Sequence, residues 1–333
     1  TNNLGTMSRS LRGFGAAAGL AVVAAVVVGL AEAGKRKEEP ETAQDVQAGA
    51  LEPFWDSFVV QVLALKRPYS LEFLLWGFTT WMAYKFRRQE RVQAERYFWL
   101  NSLVRTAIAC YGGGIIVPMM LGMKPFPIEN DAAITLVLFS WWTLHGTPAP
   151  LVTWVLDNST VLRCFLFFIF EALRCNVVVK WCIIANSMLA PSVHYPIPIW
   201  GPILCGGISG CFGGFILGGV GLVQSEVSWL IQSSFYAAAY YHITVNDPIV
   251  GPILGKLHIS GAGSDPLVAR MTCIFALGAV AVLQEAFFGA HFNPFAPVHH
   301  LLYKITGAHN PAHAETGESE GRDPKATKQL KKE

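Results

Sequence analysis

From about residue 69 the hydrophobic positions of this chain gather into seven blocks, at roughly 69–85, 97–121, 132–156, 161–188, 199–222, 226–245 and 266–289. Each is close to the length a helix needs to cross a hydrocarbon core of about 30 Å. The pattern predicts an all-α integral membrane protein with seven transmembrane helices. Only Gln224, Ser225 and Glu226 separate the fifth block from the sixth. An eighth apolar run from Phe14 to Ala31 follows Arg9 and Arg12 and leads into Ala31-Glu32-Ala33. That order fits a signal peptide cleaved after Ala33, or an uncleaved signal anchor. Four segments follow: 1–33 signal-like, 34–68 a non-cytosolic linker with a short amphipathic surface helix around Phe54 to Leu65, 69–303 the seven-helix domain, and 304–333 a disordered tail.

Composition agrees with a membrane chain: of 333 residues, 52% are hydrophobic and 14% charged, too apolar for an ordinary soluble domain. The placement of basic residues then sets the topology. Lys85, Arg87, Arg88, Arg91 and Arg96 cluster after the first block, whereas the segment 122–131 holds only Lys124. The first connection is therefore cytosolic. Seven crossings put the C-terminus, with Lys325, Lys328, Lys331 and Lys332, on the same side, opposite the translocated segment. The sequon Asn158-Ser159-Thr160 falls in a cytosolic turn and carries no sugar. All seven cysteines lie in apolar segments without a Cys-x-x-Cys pair, which reads as packing rather than disulfides or zinc.

The chain repeats itself. At an offset of 101, Trp99 falls on Trp200, Cys110 on Cys211, Tyr111 on Phe212, Gly112 on Gly213, Gly113 on Gly214, Ile115 on Ile216 and Ile116 on Leu217. The copies sit on spans two and five, an odd number of crossings apart, so they run in opposite directions. This is an inverted repeat of three plus three helices with one added, an architecture typical of transport proteins. Both copies are rich in glycine: Gly112, Gly113 and Gly114 with Pro118 on span two, and Gly206, Gly207, Gly210, Gly213 and Gly214 on span five. One reading is a hinge, because glycine weakens a helix, proline removes a donor, and freed carbonyls at membrane depth can line an aqueous path. The other is close helix packing through small residues. Sequence alone leaves both open.

Charges inside the spans are the remaining chemistry. Span four carries Arg163, Glu171, Arg174, Asn176 and Lys180. Ionisable groups there are costly and face a bundle interior or cavity. Glu171 and Arg174, spaced i, i+3, can pair as the deepest charges in the chain; a pair that only fixes helix register is the alternative. Arg105 on span two is a second inward candidate. Gln284, Glu285 and Arg270 on span seven read as interfacial anchors. Adjacent His299 and His300 do not share a helix face, so no metal site is indicated. No nucleotide loop, nucleophile triad or nucleic-acid module is present, so neither an enzyme nor a nucleic-acid partner is expected.

These residues together resemble the trimeric intracellular cation channels over about 69–303. GGGIIVPMMLGMKP is similar to the glycine-rich second-span signature of the prokaryotic members, which continue with Arg-Asp where this chain has Val117-Pro118. The fourth-span motif of the animal members is Lys-Glu-Val-x-Arg; Phe170-Glu171-Ala172-Leu173-Arg174 keeps its Glu and Arg and replaces its Lys. The resemblance implies a homotrimer in endoplasmic or sarcoplasmic reticulum, with a pore in each protomer passing potassium to balance calcium release. It also implies a phosphoinositide bound from the cytosol, for which only Arg174 carries over. No other cofactor is implied. The glycines and Pro118 would line or hinge the pore, and Glu171, Arg174, Lys180 and Arg105 would serve gating or lipid binding. A secondary transporter of a small solute and a non-conducting membrane subunit fit the same pattern.

Overall fold

The computed structural model describes residues 57–93, 98–146, 149–191, 193–217, 228–250, 265–289 and 292–306. The signal-like segment, most of the linker, the tail and the end of the fifth block lie outside these residues. Every element among the described residues is helical: α1 (Phe58–Leu63), α2 (Ser70–Gln93), α3 (Trp99–Met120), α4 (Phe126–Glu129), α5 (Asp131–His145), α6 (Ala149–Asn158), α7 (Thr160–Met188), α8 (Trp200–Leu217), α9 (Trp229–Asn246), α10 (Pro266–Leu283), a π-helical turn (Gln284–Phe288) and α11 (Ala296–Thr306). Among the described residues, two helices, Trp99–Met120 and Pro266–Phe288, are long and apolar enough by themselves to cross a membrane.

Local chemistry starts the helices where the apolar blocks begin. Asn130, Ser159 and Asp265 each turn a side-chain oxygen onto an amide of the first turn, at Ala132, Leu162 and Leu267. Pro266 then occupies the first turn of α10, where its missing N–H costs nothing.

Two expectations need correction. The third block is not one helix: α5 stops at His145 and α6 restarts at Ala149, with Gly146 at the break and Pro150 in the first turn of α6, where a missing N–H is tolerated. The basic residues after the first block are largely not in a loop, since α2 runs on to Gln93 and carries Lys85, Arg87, Arg88 and Arg91 as helix. The short helix α1 turns Val60 and Leu63 inward, with Ala64 buried just after it, and leaves Phe58 and Val59 outside. Asn176 of α7 donates to the Leu63 carbonyl at 2.8 Å and fixes that docking.

Polar contacts fix which ends share a face. Tyr84 and Arg91 of α2 both donate to Asp157 at the end of α6, at 2.8 Å each. Ser102 at the start of α3 donates to Glu90 of α2 at 2.9 Å, and His145 Nε2 lies 3.3 Å from the same carboxylate. Arg163 at the start of α7 pairs with Glu285 of the π turn at 2.6 Å. Thus the ends of α2, α6 and α10 meet the starts of α3 and α7 on one face. On the opposite face Tyr195 donates to Asp247 at 2.7 Å, joining the segment after α7 to the end of α9. Burial raises the Asp247 carboxyl pKa, but the amides of Val250 and Ile249 and the Tyr195 hydroxyl outweigh it and hold the group below the usual carboxylate range.

The core runs along α2, α7 and α10. Phe78 stacks on Phe170 at 4.8 Å and Trp81 on Phe167 at 4.7 Å, so three residues forward in α2 match three residues back in α7. The cysteines at 175, 182, 205, 211 and 273 are buried and fill the interior. Outward, by contrast, stand Leu138, Phe139, Trp142, Leu151, Trp154, Phe165 and Ile183, large apolar side chains that are only partly covered by protein.

Candidate pore and its buried charges

The glycines of α3 and α8 meet each other. A Cβ on Gly113 would lie 2.0 Å from the Ser209 carbonyl oxygen, and one on Gly213 would lie 2.3 Å from the Ala109 oxygen and 2.5 Å from that of Ile108. Gly112 faces Gly213 itself: a Cβ on it would lie 3.0 Å from the Gly213 Cα. Only glycine allows two helix backbones to approach this closely. Both helices run unbroken through their glycines, α3 also through Pro118 in its last turn, so these residues do not unwind the chain. Removal of side chains here serves contact between backbones. Gly206 and Gly207 act likewise, seating α8 on Cys182 of α7 and on Phe235 of α9, whereas Gly114 has only Phe126 nearby, at 3.5 Å.

Beside this crossing lies a cavity of about 450 Å3. Among its lining residues are Gly113, Gly114, Gly210, Gly213, Gly214, Arg174 and Lys180, together with Asn176, Tyr111 and Arg270. Seven of the residues singled out in the sequence thus come together. Gly112, Gly206, Gly207, Pro118, Glu171 and Arg105 do not line it. Arg105 lies over the Phe86 ring at 5.9 Å, and Lys180 over Trp181 at 5.8 Å. Arg270, expected as an interfacial anchor, reaches the cavity wall.

Arg174 is the midpoint of α7 and is almost wholly buried, 2% exposed, with Glu171 at 1%. Its Nε donates to Glu171 Oε2 at 2.9 Å, and Nη2 makes a shorter contact with the same oxygen. Nη1 donates to the Leu230 carbonyl at 3.0 Å and to Ser234 at 2.6 Å, while Nη2 also donates to Ser233 at 2.9 Å. All five guanidinium N–H groups are therefore engaged, and the pair bolts the middle of α7 to the first two turns of α9. The sequence reading found the pair but missed its partners, for which adjacent serines inside an apolar block were the available signal. It also missed the Arg163–Glu285 pair, 122 positions apart in the chain. Phe170, where the animal channels carry Lys, lies in the core against Phe78.

A solved structure of a trimeric intracellular cation channel from C. elegans in the absence of Ca2+ superimposes on this chain with a TM-score of 0.50 at 13% identity, covering 72% of this chain and 100% of that one. The chain has the fold of that channel. The resemblance drawn from the glycine and Glu-x-x-Arg residues thus holds at the level of fold, and the solved protein is a channel, not an enzyme. No family model and no curated protein matches the sequence.

Proposed function

We propose that this chain is a seven-span channel for monovalent cations, potassium foremost, acting as a homotrimer in the endoplasmic reticulum or another intracellular membrane, with its C-terminus in the cytosol. Its current would balance charge during calcium release. The observation that carries this reading is the reciprocal crossing of α3 and α8 beside the cavity. Gly113 packs on Ser209, and Gly213 on Ile108 and Ala109. Ile108 and Ser209 are themselves 101 positions apart, as are Gly112 and Gly213, which touch. A contact that maps onto itself under the repeat offset, as Gly112 on Gly213 does, is what a twofold axis between inverted halves produces, and such an axis is where transport proteins place their pathway. Alternating helix directions and the outward apolar side chains support a multi-pass bundle sheathed by lipid.

In this reading the pathway runs through the cavity, with backbone and hydroxyl oxygens as cation ligands and Arg174 neutralised by Glu171. A phosphoinositide would act by drawing Arg174 away from Leu230, Ser233 and Ser234, since no guanidinium donor is left over for a head group. Reconstitution of the purified full chain into liposomes under a potassium gradient tests the proposal. Potassium flux should rise in proportion to the driving force, from a complex about three times the chain mass; flux that saturates and follows a coupling-ion gradient favours a transporter, and no flux a non-conducting subunit.

A further inference from the structure

One charge is out of place in the packing of α2 on α7. Leu74, Phe78, Trp81 and Lys85 fall within about 60° on the helix, so they form one stripe. The first three are buried at 0%, 9% and 6% exposure, and two of them stack on Phe170 and Phe167 of α7. Lys85, next on that stripe, is nevertheless exposed, although its neighbours Ala83 and Tyr84 are buried. Water therefore reaches the α7-facing side of α2 one turn beyond Trp81. The antiparallel register places Lys85 alongside Arg163 and Cys164, and helical side chains lean toward their own N-terminus, here toward Glu171.

We infer that Lys85 lines a water-filled vestibule on the face where α2 ends and sets the entry barrier for cations there. This rests on the conduction reading above. Glu171 is already matched by Arg174, so Lys85 adds an uncompensated positive charge at the mouth of a cation path. It lowers the local concentration of mobile cations and makes the current asymmetric, smaller for cations entering from this face. Its flexible four-carbon stem lets the charge move within the vestibule without repacking the bundle.

The test uses the full chain in planar bilayers and in vesicles. Lys85→Gln should raise cation current entering from the α2-end face by about threefold at low salt, with the gain fading toward 1 M salt as screening removes the barrier. Separately, a charged, membrane-impermeant methanethiosulfonate should add one adduct by mass to the Lys85→Cys variant beyond those on the wild type, whose seven cysteines set the background. Wild-type channels that conduct while Lys85→Gln leaves current and asymmetry unchanged would overturn the inference, as would a Lys85→Cys variant that gains no adduct. A silent wild type would overturn the conduction reading instead, and the barrier role with it.

Discussion

Gly213→Ala is expected to destabilise the detergent-solubilised protein by about 1–3 kcal/mol, the range for forced overpacking, although the same exchange in an open helix would stabilise. Alanine is the better helix former by about 1 kcal/mol, so propensity alone predicts a gain. Sterics reverse the sign. The added methyl would stand 2.3 Å and 2.5 Å from two backbone oxygens of α3, which no rotamer change can move. The helices must separate, and that in turn loosens Gly113 on Ser209. Gly114→Ala is the matched control: its methyl meets nothing closer than Phe126 at 3.5 Å, and the variant should be neutral or slightly more stable. A thermal melt of the two variants separates close packing from a flexible hinge, because a hinge would make both substitutions behave alike. A melting temperature lowered by roughly 5 °C for Gly213→Ala alone is the expected result.

Arg174→Met should cost about 3–5 kcal/mol, because it leaves the Glu171 carboxylate buried without its counter-charge and strips partners from Ser233, Ser234 and the Leu230 carbonyl. The double variant Glu171→Gln/Arg174→Met removes the stranded charge and should recover much of that loss. The comparison is a double-mutant cycle read by thermal unfolding, with a coupling of at least about 1 kcal/mol expected for groups in one network. Conductance of the same variants adds a second readout. Freed from α9, α7 should show altered open times or unit conductance in bilayers, and unchanged currents would take Arg174 out of the mechanism and leave it a bolt between helices.

Much of this fold was legible because membrane length and capping chemistry act locally. The blocks beginning near 132, 161 and 266 become helices whose first turns are closed by Asn130, Ser159 and Asp265, and each cap stands beside its apolar run in the sequence. The Glu171–Arg174 pair was legible for the same reason, since an i, i+3 spacing guarantees proximity on a helix. What stayed hidden depended on contacts between distant segments. Nothing in the composition of CYGGGIIVP distinguishes a hinge from a contact; the distinction lies in Ser209 arriving from the other half of the chain. Glu285 finds Arg163, and Asn176 finds Leu63, only once the bundle is assembled. Lys85 was read as part of a loop because a hydropathy window ends where charges begin, whereas the helix continues and carries the charge onto an inward stripe. The break at Gly146, by contrast, had a visible signal in Gly-Thr-Pro-Ala-Pro, which the apolar character of residues 132–156 masked.

The central claim is that the cavity at the α3–α8 crossing belongs to a cation path, and ion selectivity tests it most directly. Purified protein is fused into a planar bilayer with a potassium chloride gradient, and the reversal potential is measured. A reversal potential close to the potassium equilibrium value is the expected result. A value near the chloride equilibrium potential, or a bilayer that stays silent with the full-length protein incorporated, would contradict the account.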